Sequence, residues 1–367
     1  MSKVYLTDLR TTPKRNLLNK IEDLMNRVKL NTKIKKNDIV AVKLHFGEFG
    51  NAAYLRPIFL RTIVGKIKEL NAKPFLTDTN TLYTGSRSDA VNHLTTAIKN
   101  GFDYSCVECP VIIADGLRGA SETNVVIKGE VLKETSIAKE IAEADSIVVV
   151  THFKAHELSG FGGALKNIGM GCATRKGKLI QHSSLAPQVN TETCKGCKVC
   201  FDSCPGEAIS LVNKKASIYE TKCIGCGECL LICPFNAIET KWDASPDVFQ
   251  KKMAEYALGA LKGKEKKAVY LNFVVQVSPA CDCYPSNDTP IVRDIGILAS
   301  DDPVAIDAAS CDLVNNEDSM PHTAIKHHLG KGEDKWKALY PAIDWNIQLN
   351  HAEKIGLGTR EYTLVKI

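Results

Sequence analysis

Residues Cys194–Pro205 read CKGCKVCFDSCP, and residues Cys223–Pro234 read CIGCGECLLICP. The two blocks are an internal repeat with a period of 29 residues, and together they hold eight of the chain's 14 cysteines. Each places Cys-x2-Cys-x2-Cys-x3-Cys directly before a proline. Three thiolates this close can wrap one face of an iron–sulfur cube only if the residues between them are small, because backbone N–H groups must turn toward the sulfurs. Gly196, Gly225 and Gly227 meet that need. A pair of zinc knuckles also uses Cys-x2-Cys pairs. The doubled four-cysteine run with both prolines is instead the pattern of iron–sulfur ligation.

The stretch 190–240 resembles the two-cluster bacterial ferredoxin domain, residue by residue at all eight cysteines. Ala208-Ile209 and Ala237-Ile238, which follow the fourth cysteine of each block, match that family's packing pattern. The resemblance implies two [4Fe-4S] clusters that relay single electrons, with ligands that cross between the blocks. One cluster would take Cys194, Cys197, Cys200 and Cys233; the other would take Cys223, Cys226, Cys229 and Cys204.

Outside this stretch the chain sets its own limits. At 367 residues it is long enough for two to three domains of about 150 residues and needs no disulfide staples. The first twenty residues, MSKVYLTDLRTTPKRNLLNK, lack an apolar core of the secretory type, so reduced or metal-bound thiols and a cytoplasmic location are expected. Apolar runs such as Ile147 to Val150 fall far short of the roughly 18 residues that cross a bilayer. The net charge of +5, with a concentrated basic run only at Lys262 to Lys267, gives nucleic-acid binding little support.

Strand-like and helix-like patterns alternate through the rest of the chain. Lys3 to Asp8, Ile39 to Leu44, Phe75 to Thr77, Val111 to Ala114, Ser146 to Val150, Lys267 to Val277 and Ile291 to Leu298 read as strands. Asn16 to Leu30, Pro57 to Leu70, Asp89 to Asn100, Ile137 to Ala144 and Ala305 to Val314 read as helices. The pattern predicts an α/β domain with a largely parallel sheet, residues 1–189 and 241–367, split by the ferredoxin-like insert at 190–240. Two tandem α/β domains are the competing arrangement.

Polar clusters fall at the predicted strand ends, where open α/β sheets bind ligands. They hold His45 and Glu48, Asp78, then His152 and His156, and lastly a glycine-rich run with Gly162, Gly163, Lys166 and Asn167. The glycines and Lys166 suit an anion or cofactor, although glycines alone are more often turns. His152 and His156 would share a face if their segment is helical. Six cysteines lie outside the blocks. Cys281 and Cys283 follow a strand and suit a further metal or a redox step; Cys172 follows the glycine-rich run and could approach the same pocket. Cys106 and Cys109 read as free thiols, and Cys311 as core. Lys262 to Lys267 reads as a solvated linker, and Ser319 to Trp345 as surface helices and loops.

The strings KLHFGEFGN, TDTNTLYTGSR, VIIADGLRG, THFKAHELSGFGGALKNIGMGC and DIGILASDDPVAIDA resemble an iron–sulfur family named domain of unknown function 362, over essentially the whole chain. The spacing His156, Lys166, His182 is similar to the active-site stretch of the nickel-pincer lactate racemase family. There these positions would be an acid/base histidine, a cofactor-tethering lysine and a nickel ligand, with His45, His93 and Arg87 as candidates for its other catalytic positions. The expectation is a ferredoxin-linked oxidoreductase of anaerobic-type metabolism, with a redox partner such as a ferredoxin or flavoprotein and an unidentified small-molecule substrate. A metal- or pincer-dependent isomerase and a non-catalytic electron carrier or assembly module are the alternatives.

Overall fold

The computed structural model describes residues 1–183 and 186–367. Eight strands form one sheet: β1 Ser2–Thr7, β2 Ile39–Lys43, β3 Lys73–Asp78, β4 Val111–Ile113, β5 Ser146–His152, β6 Ala268–Val274, β7 Gly296–Ser300 and β8 Tyr362–Lys366. Their order is β8-β1-β7-β6-β5-β2-β3-β4. β7 runs antiparallel to both neighbours, and the other five pairings are parallel. β5 and β6 pair in register from Ile147 opposite Ala268 to His152 opposite Phe273, so segments on either side of the cysteine blocks share one sheet. Two separate α/β domains would not pair this way.

Alternation along the central strands decides what covers each face. Ile147, Val149 and Tyr270 point into one core, with Tyr256, Ala257 and Ala309 from helices Pro246–Leu261 and Pro303–Asn315. Val148, Val150 and Leu271 point into the other, with Leu24 and Ile63 from helices Leu17–Arg27 and Pro57–Glu69. The result is a three-layer α/β/α body. Asn16 closes the first of these helices with a capping box, and Asp302 caps helix Pro303–Asn315.

Several sequence-based expectations change here. Lys154–His156 is a strand paired with Gly160–Gly162, so His152 and His156 do not share a helical face. Lys264, expected in a solvated linker, is buried and donates to the Ala142 carbonyl at 2.8 Å. Trp336, expected at the surface, is buried against Phe153 and Phe161. Cys172 is sealed in the core rather than open to the strand-end pocket. Cys311 is buried as expected; Cys109 is also buried, and Cys106 is partly exposed.

The cysteine blocks form a small body of their own. Gln188–Val189 pairs with Ile238–Glu239 and closes its ends, and a hairpin joins Ile209–Val212 to Lys215–Ile218. Its core holds Cys194, Cys200, Cys233, Ile209, Ala216, Leu230, Ala237 and Ile238, and Leu82 and Leu179 of the larger body join it.

Candidate functional site

Parallel strands deliver their following loops to one edge of the sheet, and four such loops meet here. β2 supplies His45 and Glu48, β3 supplies Asp78, Tyr83 and Arg87, β5 supplies His152 to Lys166, and β6 leads to Cys281 and Cys283. His45 Nε2 lies 3.4 Å from Cys283 Sγ, while the Gly47 N–H donates to its Nδ1 at 3.0 Å. Nδ1 is thereby the acceptor, and the ring proton sits on Nε2, facing the sulfur. Lys166 Nζ lies 3.5 Å from Cys281 Sγ.

The influence of Cys281 and Cys283 on one another moves their acidities apart. The neighbouring Cys281, with His45 and Lys166 nearby, holds Cys283 well below the ordinary thiol range against the opposing effect of burial. The neighbouring Cys283, with burial, pushes Cys281 up. Burial disfavours the Lys166 ammonium, yet Cys281 and Cys283 outweigh it and raise its pKa. The site thus pairs two thiols of unlike acidity with an ammonium ion.

A charged layer fixes these groups from behind. Arg87 Nε donates to Glu48 at 3.0 Å, and its Nη2 donates to the Tyr83 hydroxyl at 2.7 Å. Tyr83 in turn donates to the Cys283 carbonyl at 3.1 Å. Asp78 meets Lys43 at 3.0 Å, and Lys43, His45, His93 and Arg87 hold its carboxyl far below the usual range against the opposing effect of burial. His93 is fully buried, and neither ring nitrogen has a hydrogen-bond partner among the described residues. Asp282, between the two thiols, accepts from His152 Nδ1 at 2.9 Å and pairs with Lys154 at 3.2 Å.

Not every sequence candidate reaches the thiols. His152 is turned away, its Nε2 against the Val275 carbonyl at 2.9 Å. His156 accepts the Leu158 N–H at 3.2 Å and stacks on Phe249; burial, then Lys166, takes it well below the ordinary histidine range. His182 rests against Trp242 and Phe249, and burial with Lys166 nearby takes it down to about 3. Both are neutral imidazoles at neutral pH.

The backbone that follows Gly163 in the glycine-rich run holds a carboxylate of the chain itself. The Ala164 and Leu165 N–H groups after Gly163 donate to the Asp307 carboxylate at 2.7 and 2.9 Å. A Cβ on Gly163 would stand 2.3 Å from Asp307 Oδ1. Gly163→Ala therefore lowers stability by about 1–3 kcal/mol through overpacking, measurable by urea unfolding. Gly162 leaves room for the Lys166 and Lys154 stems. Asn167 accepts from Lys43 at 2.7 Å and donates to the Val150 carbonyl at 3.1 Å, so it ties β2 to β5. Tyr83, Asp282 and Asp307 were not singled out by sequence; only the Tyr83 and Asp282 positions, at strand ends, carried a signal.

The cysteine blocks enclose two cavities. One is lined by Cys194, Cys197, Cys200 and Cys233, and the other by Cys204, Cys223, Cys226 and Cys229. Each cavity therefore takes three cysteines from one block and the fourth from the other. Among the described residues no three His, Cys, Asp or Glu side chains converge on a single-ion position; the thiols stand around volumes instead. The Ala216 N–H donates to Cys194 Sγ at 3.5 Å, the Ala208 N–H to Cys204 at 3.3 Å and the Ala237 N–H to Cys233 at 3.2 Å. Gly227, beside Cys226, packs on Arg175 and Leu82, where a Cβ would meet them at 3.0 and 3.5 Å.

Fold and site together define an α/β protein with a thiol centre at its strand ends and two cysteine-lined cavities packed alongside. The chain belongs to the family described as Domain of unknown function (DUF362), which matches residues 40–312. It is also similar to the indolepyruvate oxidoreductase subunit IorA of Pyrococcus horikoshii, 44% identical over 54 residues, 14% of this chain and 8% of that protein. The dihydromethanopterin reductase (acceptor) of Methanosarcina mazei is 38% identical over 60 residues, 16% of this chain and 25% of that protein. The chain thus spans a small part of these relatives' length. Among solved structures, the lactate racemase apoprotein from Thermoanaerobacterium thermosaccharolyticum is 16% identical with a TM-score of 0.37, covering 74% of this chain and 50% of that one. Among the described residues no helix is long and apolar enough to cross a membrane.

Proposed function

We propose that the chain is an electron-transfer oxidoreductase holding two [4Fe-4S] clusters, which serve the thiol site at the strand ends. One would be held by Cys194, Cys197, Cys200 and Cys233, the other by Cys204, Cys223, Cys226 and Cys229. The observation that carries this reading is the match between those crossed quartets and the linings of the two cavities. Bound there, the clusters supply one-electron transfer. The chain's own residues do the rest. The Ala208, Ala216 and Ala237 N–H groups offset thiolate charge. A short path joins the second cavity to the thiol turn: Gly227 rests on Leu82, and the next residue, Tyr83, bonds to the Cys283 backbone. His45 and Lys166 hold protons beside the sulfurs. Val199, Phe201 and Phe235 are exposed near the first quartet, a face suited to a redox partner such as a ferredoxin or flavoprotein.

Anoxic purification should give about eight irons per chain and a visible absorption that bleaches with dithionite. Iron-free protein, or zinc bound to the blocks, sinks the proposal. A second reading, an isomerase with a metal or pincer cofactor at Lys166, is favoured by His156 and His182, which pack on the same ring, Phe249, and are both held neutral in part by the charge of Lys166. Nickel analysis and an intact mass above that of the bare sequence would support it.

A further inference from the structure

We infer that Cys281 and Cys283 form a dithiol–disulfide centre, which gathers single electrons into the two-electron reduction of a small-molecule disulfide. The source of electrons rests on the cluster reading above; the chemistry of the pair rests on its own geometry. The Tyr284 N–H donates to the Cys281 carbonyl at 3.2 Å, which closes a turn over residues 281–284. That turn presents the two thiols, one residue apart in sequence, at one site, Cys283 beside His45 and Cys281 beside Lys166. The thiols are also unequal. Cys283 is partly exposed and Cys281 is buried. His45 Nε2–H faces Cys283 and the Lys166 ammonium faces Cys281. A partly exposed cysteine beside a buried partner, each facing a nitrogen that can hold a proton, is the arrangement of an attacking and a resolving cysteine.

The steps balance as follows. The Cys283 thiolate attacks one sulfur of the substrate disulfide, whose S–S bond breaks, and the first thiolate leaves with the proton of Cys281. Cys281 then attacks Cys283 in the mixed disulfide, forming the Cys281–Cys283 bond, and the second thiolate leaves with a proton from Lys166. Two electrons and one proton return the pair to thiol and thiolate, and Lys166 regains its proton from solvent. Glu48, Arg87 and Tyr83 hold the turn through the Glu48 N–H to the Asp282 carbonyl at 3.1 Å and the Tyr83 hydroxyl to the Cys283 carbonyl.

The test uses the holoprotein under anoxic conditions with glutathione disulfide as the probe. After alkylation of free thiols and peptide mapping, Cys281 and Cys283 should be joined in one disulfide while Cys106 and Cys311 are alkylated. Recovery of both as free, alkylated thiols overturns the centre, whether or not clusters are present. In the second arm, protein reduced by dithionite and freed of excess reductant receives the same probe. The visible absorption should return in the wild type and return at least about tenfold more slowly in Cys283→Ser. Equal rates overturn the role of the pair as the electron outlet. Unchanged iron content and bleaching in Cys283→Ser show that it is folded, and the wild-type mapping decides the question if it is not. Protein without iron that still forms the 281–283 disulfide fails the cluster reading and leaves the pair standing.

Discussion

Replacing Cys204 by alanine should remove the same cluster as replacing Cys223, although the two belong to different blocks. Each single variant is expected to fall from about eight to about four irons per chain. The double variant Cys204→Ala/Cys223→Ala should also keep about four, because both changes strike one cavity. Cys204→Ala/Cys233→Ala should fall to near zero. The reasoning is geometric: Cys204 lines the cavity of Cys223, Cys226 and Cys229, and Cys233 lines that of Cys194, Cys197 and Cys200. Changes at one site are not additive, whereas changes at separate sites are. Iron determination on the four proteins checks this. Near-zero iron in Cys204→Ala/Cys223→Ala would show that each block keeps its own fourth cysteine. Loss of a cluster should also speed hydrogen exchange in residues 190–240 and leave β5 and β6 protected, since the small core is distinct from the two cores of the sheet.

The grouping of cysteines from both blocks around each cavity accords with their short spacings, and short spacings survive in any fold that can use them. The strand ends were legible for a related reason. A polar residue placed where an apolar run stops, such as Asp78 at the end of β3, marks the edge at which open sheets bind ligands. Partners were a different matter. The carboxylate that fills the Gly163 cradle is Asp307, 143 residues from Ala164 in sequence, and Tyr83 meets Cys283 across 200 residues. Such meetings follow from the sheet order, in which β6 from beyond the cysteine blocks lies next to β5, and periodicity does not encode strand order. The helical reading of His152 and His156 failed on a local point: a three-residue hairpin, Lys154–His156 with Gly160–Gly162, is too short to show a period of two.

Asp282→Asn should be the most damaging single substitution within the thiol turn. The carboxylate is fully buried and faces both His152, at 2.9 and 3.0 Å, and Lys154, at 3.2 Å. Asparagine keeps the shape but leaves Lys154 buried without a counter-charge, which costs about 3–5 kcal/mol. The pH dependence has a definite sign. Burial alone would raise the Asp282 pKa, but His152 and Lys154 outweigh it and hold the group far below its ordinary value. Its stabilising effect is therefore full above the unfolded carboxyl value of about 4 and is lost as pH falls toward the folded value. Asp78 is depressed in the same way by Lys43 and its other neighbours, so the wild type should lose stability steeply below about pH 4. Urea unfolding followed by tryptophan fluorescence should show the gap between wild type and Asp282→Asn widest near neutral pH and narrowing in acid. A gap that does not change with pH, or no gap at neutral pH, would mean that the charge of Asp282 does not hold the turn on which both thiols sit.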